Sequence, residues 1–336
     1  MLKRYTTNSV NKDFVNNNCM KRDVKSMDFI STFNTSKVIF TEGAVVERLR
    51  REYRVGLNQH IVHSGLVYDQ QGRLILRGIY KQYIDIVRKC NIPMMIFTPT
   101  RRSNPEQIAQ AGLLRTDVNG DCARLLMDIR SEYGEYSKRI FIGGLMGCRG
   151  DAYNAEEALT SDEALFFHQE QANALADAGV DFLCGTTLPA MSEAVGLAQA
   201  MARTGKPYIL SFVIRANGTL LDGNSLHETI SRIDQVSSRQ PLFYMTNCIH
   251  PSVLLKAIEN HVNFTNIVKQ RLKGIQANTS SKSPEELDGS TELESEDIVT
   301  LVNEMVYLHN NHQVKVLGGC CGTDERHIQG LVNVLT

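Results

Sequence analysis

The sequence predicts a single closed (β/α)8 (TIM) barrel, and three observations carry that expectation. Eight short apolar, β-branched runs alternate with longer stretches of helical periodicity along most of the chain. Parallel strands need crossover connections, usually helices, so this alternation implies a parallel sheet with its helices outside. The count of eight favours closure over an open doubly wound sheet, and no GxGxxG follows the first strand to suggest a dinucleotide fold. The 336 residues, 42% of them hydrophobic, suffice for one large core, and barrels of this kind routinely exceed about 250 residues as one domain.

Taken in order, residues 1–36 are polar and Asn-rich without an apolar signal core, and are expected to form a disordered or loosely packed leader. The barrel is expected over 37–336. Its strands are expected at Lys37–Thr41, Pro93–Thr98, Arg139–Gly143, Asp181–Gly185, Pro207–Ile214, Pro241–Thr246, Lys273–Ala277 and Val314–Leu317. Among the helices, Ala164–Ala178 follows the capping-like Thr160-Ser161-Asp162-Glu163. It repeats Phe167, Gln171, Leu175 and Ala178 at near-helical spacing and meets a stop at Gly179. Met191–Arg203, Ser225–Val236 and Glu294–Asn310 read the same way. The Ser/Asp/Glu-rich stretch Thr279–Glu292 is expected to be a surface excursion after the seventh strand.

Charge and hydropathy exclude several classes. Lys plus Arg number 36 against 37 Asp plus Glu, a net charge of −1, so the basic excess of a nucleic-acid binder is missing. No apolar run is long enough to span a bilayer. A cytoplasmic protein acting on small molecules is the expectation, with no nucleic-acid or membrane partner.

Eight cysteines in so long a chain do not make a small secreted disulfide framework. Cys19 lies in the leader, Cys90 and Cys122 in helical stretches, Cys148 after a strand and Cys184 at the end of another. These read as incidental thiols. Cys248, Cys320 and Cys321 differ, because they follow the sixth and eighth strands and so share the C-terminal rim, where barrel enzymes keep their chemistry. Three thiolates suit tetrahedral Zn2+ with one open position. Gly318, Gly319 and Gly322 would let the backbone turn tightly enough for both neighbouring cysteines to reach one ion. The alternative at this point is a buried or oxidised vicinal pair at Cys320-Cys321, with Cys248 an ordinary core residue.

Gly318-Gly319-Cys320-Cys321-Gly322-Thr323, with Asn247-Cys248-Ile249-His250-Pro251 upstream, resembles the homocysteine S-methyltransferase family over roughly residues 37 to 336. Supporting matches are Ala178-Gly179-Val180-Asp181-Phe182-Leu183, Leu188-Pro189 with Glu193-Ala194, Ser211-Phe212, Asp222-Gly223-Asn224-Ser225-Leu226, and Gly274-Ile275-Gln276-Ala277-Asn278. The resemblance implies that Cys248, Cys320 and Cys321 bind zinc and that the substrate thiol takes the fourth position. It further implies methyl transfer from an onium-type donor to a thiol, homocysteine giving methionine. Substrate contacts are expected from Glu42, Gly43, Ala44, Thr98, Thr100, Thr186 and Asn247.

Three departures touch substrate recognition and leave the metal alone. Glu42-Gly43-Ala44 stands where the family usually has Asp-Gly-Gly or Asp-Gly-Ala, and Thr186 stands where it has a second carboxylate for the amino group. Thr98-Pro99-Thr100 runs into Arg101-Arg102, which either bind a carboxylate or phosphate or are ordinary surface arginines. His250 is either a hydrogen-bond donor behind the metal or a structural histidine. Thr186 keeps two alternatives open: methyl transfer to a different thiol or selenol, or a zinc-binding thiol sensor or scaffold without methyl transfer.

Overall fold

Eight parallel strands close on one another in chain order. In the computed structural model these are β1 (Ile39–Thr41), β2 (Met94–Phe97), β3 (Ile140–Gly147), β4 (Phe182–Leu188), β5 (Tyr208–Phe212), β6 (Tyr244–Ile249), β7 (Leu272–Ala277) and β8 (Val316–Gly319). β8 returns to β1 in the register Ile39↔Val316 and Phe40↔Leu317. The structure describes residues 28–282 and 297–336. Residues 1–27 of the expected leader, and most of the expected polar excursion after β7, lie outside the described residues.

All eight expected strands are present, but their ends differ in an informative way. β3, β4 and β6 run three to four residues beyond the expected stops, to Gly147, Leu188 and Ile249. Those extensions carry Gly, Thr, Asn and Cys in place of an apolar run, so periodicity gives no sign of them. They hold as strand because each neighbour offers a partner: Gly147 pairs with Thr186, and Asn247 with Gln276.

The core has two shells. Inside the barrel sit Met95, Phe97, Phe141, Phe182, Ile209 and Met245, all buried. A larger shell lies between strands and helices, where Leu76, Tyr80, Tyr83 and Ile84 of the helix Gln70–Arg88 meet the barrel wall. The helix Ser161–Asp177 begins with the full capping box of Thr160 and Glu163, and Leu226–Val236 with that of Ser225 and Glu228. The described part of the last expected helix starts at the Asp297 cap and ends at Gln313, two residues past the expected limit plus a left-handed cap. Among the described residues, no helix is long and apolar enough to cross a membrane.

One expectation needs correcting. The stretch assigned to the leader includes a helix, Phe29–Thr35, N-capped by Asp28, whose Oδ1 accepts from the Ser31 amide at 2.7 Å. Phe29 stacks on Phe182 at 4.2 Å and Phe33 on Phe243 at 4.4 Å, closing the N-terminal mouth of the barrel. Two aromatic rings four residues apart share one helical face, and that burial orders a segment whose flanks are polar.

Candidate functional site

The site begins with an irregularity in β6. Its pairing with β7 slips between Asn247 and Ile249, and Cys248 sits in the slip with φ of 56°. A non-glycine residue in the left-handed region costs on the order of 1–3 kcal/mol and persists only where its surroundings hold it. Cys248 therefore lies within β6, at a bulge, and not beyond the strand as the sequence suggests. β4 carries a matching slip between Gly185 and Leu188, with Thr187 at φ 55°.

Asn247 ties the two bulges together. Its Oδ1 accepts from the Thr187 amide at 2.9 Å and from Ser211 Oγ at 2.6 Å. Its Nδ2 donates to Thr187 Oγ1 at 2.8 Å and lies 3.2 Å from the Cys248 sulfur. Fully buried, this amide has every reason to be satisfied, and it fixes the direction of Cys248 through its neighbour in space and in sequence.

The second half of the cluster comes from the turn after β8. Gly319 N donates to Glu42 O at 3.1 Å, Cys320 N to Ala277 O at 2.7 Å, and Cys321 N to Asn278 Oδ1 at 3.1 Å. Gly322 takes φ of 82° and donates its amide to Glu47 Oε2. A Cβ at Gly318 would stand 1.8 Å from Thr41 Oγ1, which explains why the chain passes there without a side chain. Thr323 Oγ1 donates to Cys320 O at 2.7 Å and accepts from Ala44 N at 3.1 Å, locking the turn to the end of β1.

These two routes bring Cys248, Cys320 and Cys321 together, with their sulfurs all within 4.8 Å of one another and Cys248 2.8 Å from Cys320. Hydrogen bonds from the Cys320 and Cys321 thiols hold the Cys248 thiol well below its ordinary range. The bonds to Cys248 push Cys320 and Cys321 up. The donor set fits a metal of the zinc type: tetrahedral Zn–S bonds of about 2.3 Å space sulfurs about 3.8 Å apart, within the spread seen. Cys148 and Cys184, by contrast, have ionisation suppressed by burial, and Cys90 lies exposed.

The cluster lines a cavity of about 510 Å³ whose wall also includes Glu42, Thr186, Asn247 and Arg101. Glu42 is buried, and its Oε1 accepts from the Phe97 amide at 3.0 Å while Oε2 has no partner. Burial raises its carboxyl to about 8, because the charged form has lost water without gaining a counter-ion.

The other expected contacts divide. Gly43, Ala44, Thr98, Thr186 and Asn247 line the cavity with Arg101 and Arg102. Thr98 Oγ1 accepts from Leu145 N at 2.9 Å and pairs with Thr100 Oγ1 at 2.6 Å. Thr100 donates to Leu145 O at 2.7 Å and lies behind the wall, so it braces β2 against β3 and does not face the cavity. His250 caps the helix Pro251–Glu259, with Nδ1 accepting from Ser252 N at 3.3 Å.

Several wall residues carry no sequence signal. Tyr153 lies beside Cys248, and the charge there raises the phenol. His63, Glu47 and Gln276 also face the cavity. Tyr153 comes from a turn and His63 from the first residue of the short 3-10 helix His63–Tyr68, where spacing says nothing about direction.

The family model for homocysteine S-methyltransferases matches residues 39–335. Homocysteine S-methyltransferase YbgG of Bacillus subtilis (strain 168) is 24% identical over 184 residues, 54% of this chain. That match spans about half (55%) of the relative's length. Among solved structures, the homocysteine methyltransferase MmuM from Escherichia coli in its metallated form superposes with a TM-score of 0.72 at 19% identity. The superposition covers 90% of this chain and 98% of that one. Its oxidised form gives 0.71 at 20% identity, and both share the barrel fold. With the model matching nearly the whole described barrel, the chain belongs to the homocysteine S-methyltransferase family.

Proposed function

We propose that this protein transfers a methyl group from an onium-type donor to the thiol of homocysteine, giving methionine, with Cys248, Cys320 and Cys321 as the zinc ligands. The observation that carries this reading is the meeting of three sulfurs within 4.8 Å with a buried, half-unpartnered Glu42 in one cavity. Zinc, when bound, supplies a thiol that is deprotonated without a protein base and still nucleophilic.

The chain's own residues do the rest. Glu42 Oε2, with no partner of its own, accepts a hydrogen bond from the substrate ammonium, and that cation restores the ionised carboxylate that burial disfavours. Asn247 holds Cys248 in direction, and Thr186 presents a hydroxyl where the family has a second carboxylate. In the transfer, the methyl carbon's bond to sulfonium sulfur or ammonium nitrogen breaks, and that electron pair stays with the now neutral donor. The new bond forms to the acceptor sulfur. A reducing, cytoplasmic setting fits, since all three thiols must stay reduced to serve as ligands.

Thr186 favours a second reading of the acceptor, a thiol without an ammonium group. Losing one charge-assisted hydrogen bond costs about 1.5–3 kcal/mol. Thr186→Glu is expected to tighten homocysteine binding by calorimetry, and 4-mercaptobutyrate to compete well in the parent. If the parent strongly prefers homocysteine and Thr186→Glu weakens it, Glu42 alone holds the ammonium. The general test is a screen of methyl donors against thiols on the zinc-loaded protein, with products identified by mass. Methionine from homocysteine is the expected product. Zinc binding without any methylated product would reassign the protein as a thiol sensor or scaffold.

A further inference from the structure

The wall of the same cavity carries charge that the methyl-transfer reading leaves unused. Arg50, Arg101 and Arg102 all line it, and among the described residues none of the three pairs with a carboxylate. The remaining arginine on this wall, Arg51, pairs with Glu47 at 3.0 Å. Guanidinium groups at a cleft are ordinarily paired or fully solvated, yet Arg101 and Arg102 are half-buried.

A second observation points to a ligand at the same place. His63 is 7% exposed, lines the cavity, and has a buried Nδ1 with no hydrogen-bond partner. Its burial, with Arg101 and Arg50 nearby, pulls its pKa to about 3, so it stays neutral. Val62, immediately before it, is held at φ 53°, a conformation a β-branched residue adopts only under constraint. The chain thus tolerates local strain, and a buried polar nitrogen without a partner, at a wall already bearing three unpaired cations.

We propose that His63, Arg50, Arg101 and Arg102 form a binding site for a dianionic group, a phosphoryl group or a pair of carboxylates, on the substrate that brings the methyl group. This rests on the reading above only in assigning the part of the wall that carries Glu42 and the cysteines to the thiol substrate. A single carboxylate would leave two of the three guanidiniums unanswered, whereas phosphate or two carboxylates match them with bidentate hydrogen bonds. Arginine's planar fork suits both oxygen arrangements equally.

Direct binding tests this without any turnover. Inorganic phosphate, glutarate and acetate would be titrated by calorimetry into the zinc-loaded protein at constant ionic strength, with and without saturating homocysteine. Phosphate or glutarate should bind at one site, and whichever binds more tightly identifies the phosphoryl or dicarboxylate class. Acetate should bind more weakly, and homocysteine should not displace the dianion. Arg101→Gln combined with Arg102→Gln should weaken dianion binding by about tenfold or more. The exposed Lys89→Gln, before β2 at the far end of the barrel, should not. Circular dichroism checks that each variant is folded. Absence of saturable binding, equal binding in the double variant, or displacement by homocysteine would overturn the proposal. Displacement would mean that the arginines hold the amino acid's own carboxylate. Saturable dianion binding with no methyl transfer to any thiol would instead sink the methyltransferase reading and leave this site standing.

Discussion

At the scale of single residues, the three sulfurs and Glu42 make the sharpest predictions. Cys248→Ala or Cys321→Ala should abolish stoichiometric zinc, since two remaining thiolates make an inadequate site. Metal analysis of the purified variants reads this directly, and full retention in both would remove the assignment. Glu42 makes a prediction in protons. Its folded pKa, about 8, lies above the ordinary 4.5, so the folded chain holds a proton that the unfolded chain has released between those values. Stability contributed by neutral Glu42 is therefore present at low pH and is lost as pH rises from about 4.5 through about 8. Glu42→Gln should flatten the dependence of denaturant midpoint on pH across that window. An ammonium substrate should expel the same proton at pH 7, seen as a binding enthalpy that varies with buffer ionisation heat. All four residues were singled out from the sequence. The partnerless Oε2 and the depressed Cys248 were not, because both depend on neighbours more than 50 positions away.

At the scale of elements, eight strands could be read because each core run is short, β-branched and bounded by a helical period. Their polar C-terminal ends could not, and those ends are the part that matters for the site. Whether Gly185–Leu188 or Asn247–Ile249 stays in the ladder is decided by the register of β5 and β7. No local propensity encodes a slip of that kind. The helix Phe29–Thr35 was hidden for the opposite reason: a seven-residue helix has little stability alone and exists through its packing. Phe33→Ala should accordingly cost about 3–5 kcal/mol, measured by denaturant unfolding, because the stacked ring on Phe243 leaves a cavity. A loss below about 1 kcal/mol would show that the segment merely rests on the barrel.

At the scale of the whole molecule, the three-cysteine cluster sits on a scaffold that does not depend on it. The two-shell core and the closed ladder are complete without any contribution from the three sulfurs. Chelation should leave the far-ultraviolet circular dichroism unchanged and lower Tm only by the linkage of zinc binding, about 1.4 kcal/mol for each tenfold of free metal above Kd. Collapse of the helical signal on chelation would contradict this. The cross-brace made by Asn247 has a consequence for how such a protein can diverge. One amide braces both the bulge that carries Cys248 and the bulge at Thr187, so any replacement at 247 would disturb two strands of the cavity wall at once. Among the described residues, Thr186 has only the Thr187 hydroxyl, at 3.4 Å, as a side-chain neighbour in hydrogen bonding. Position 186 can thus change while the cysteine cluster stays in place, whereas position 247 has no such freedom.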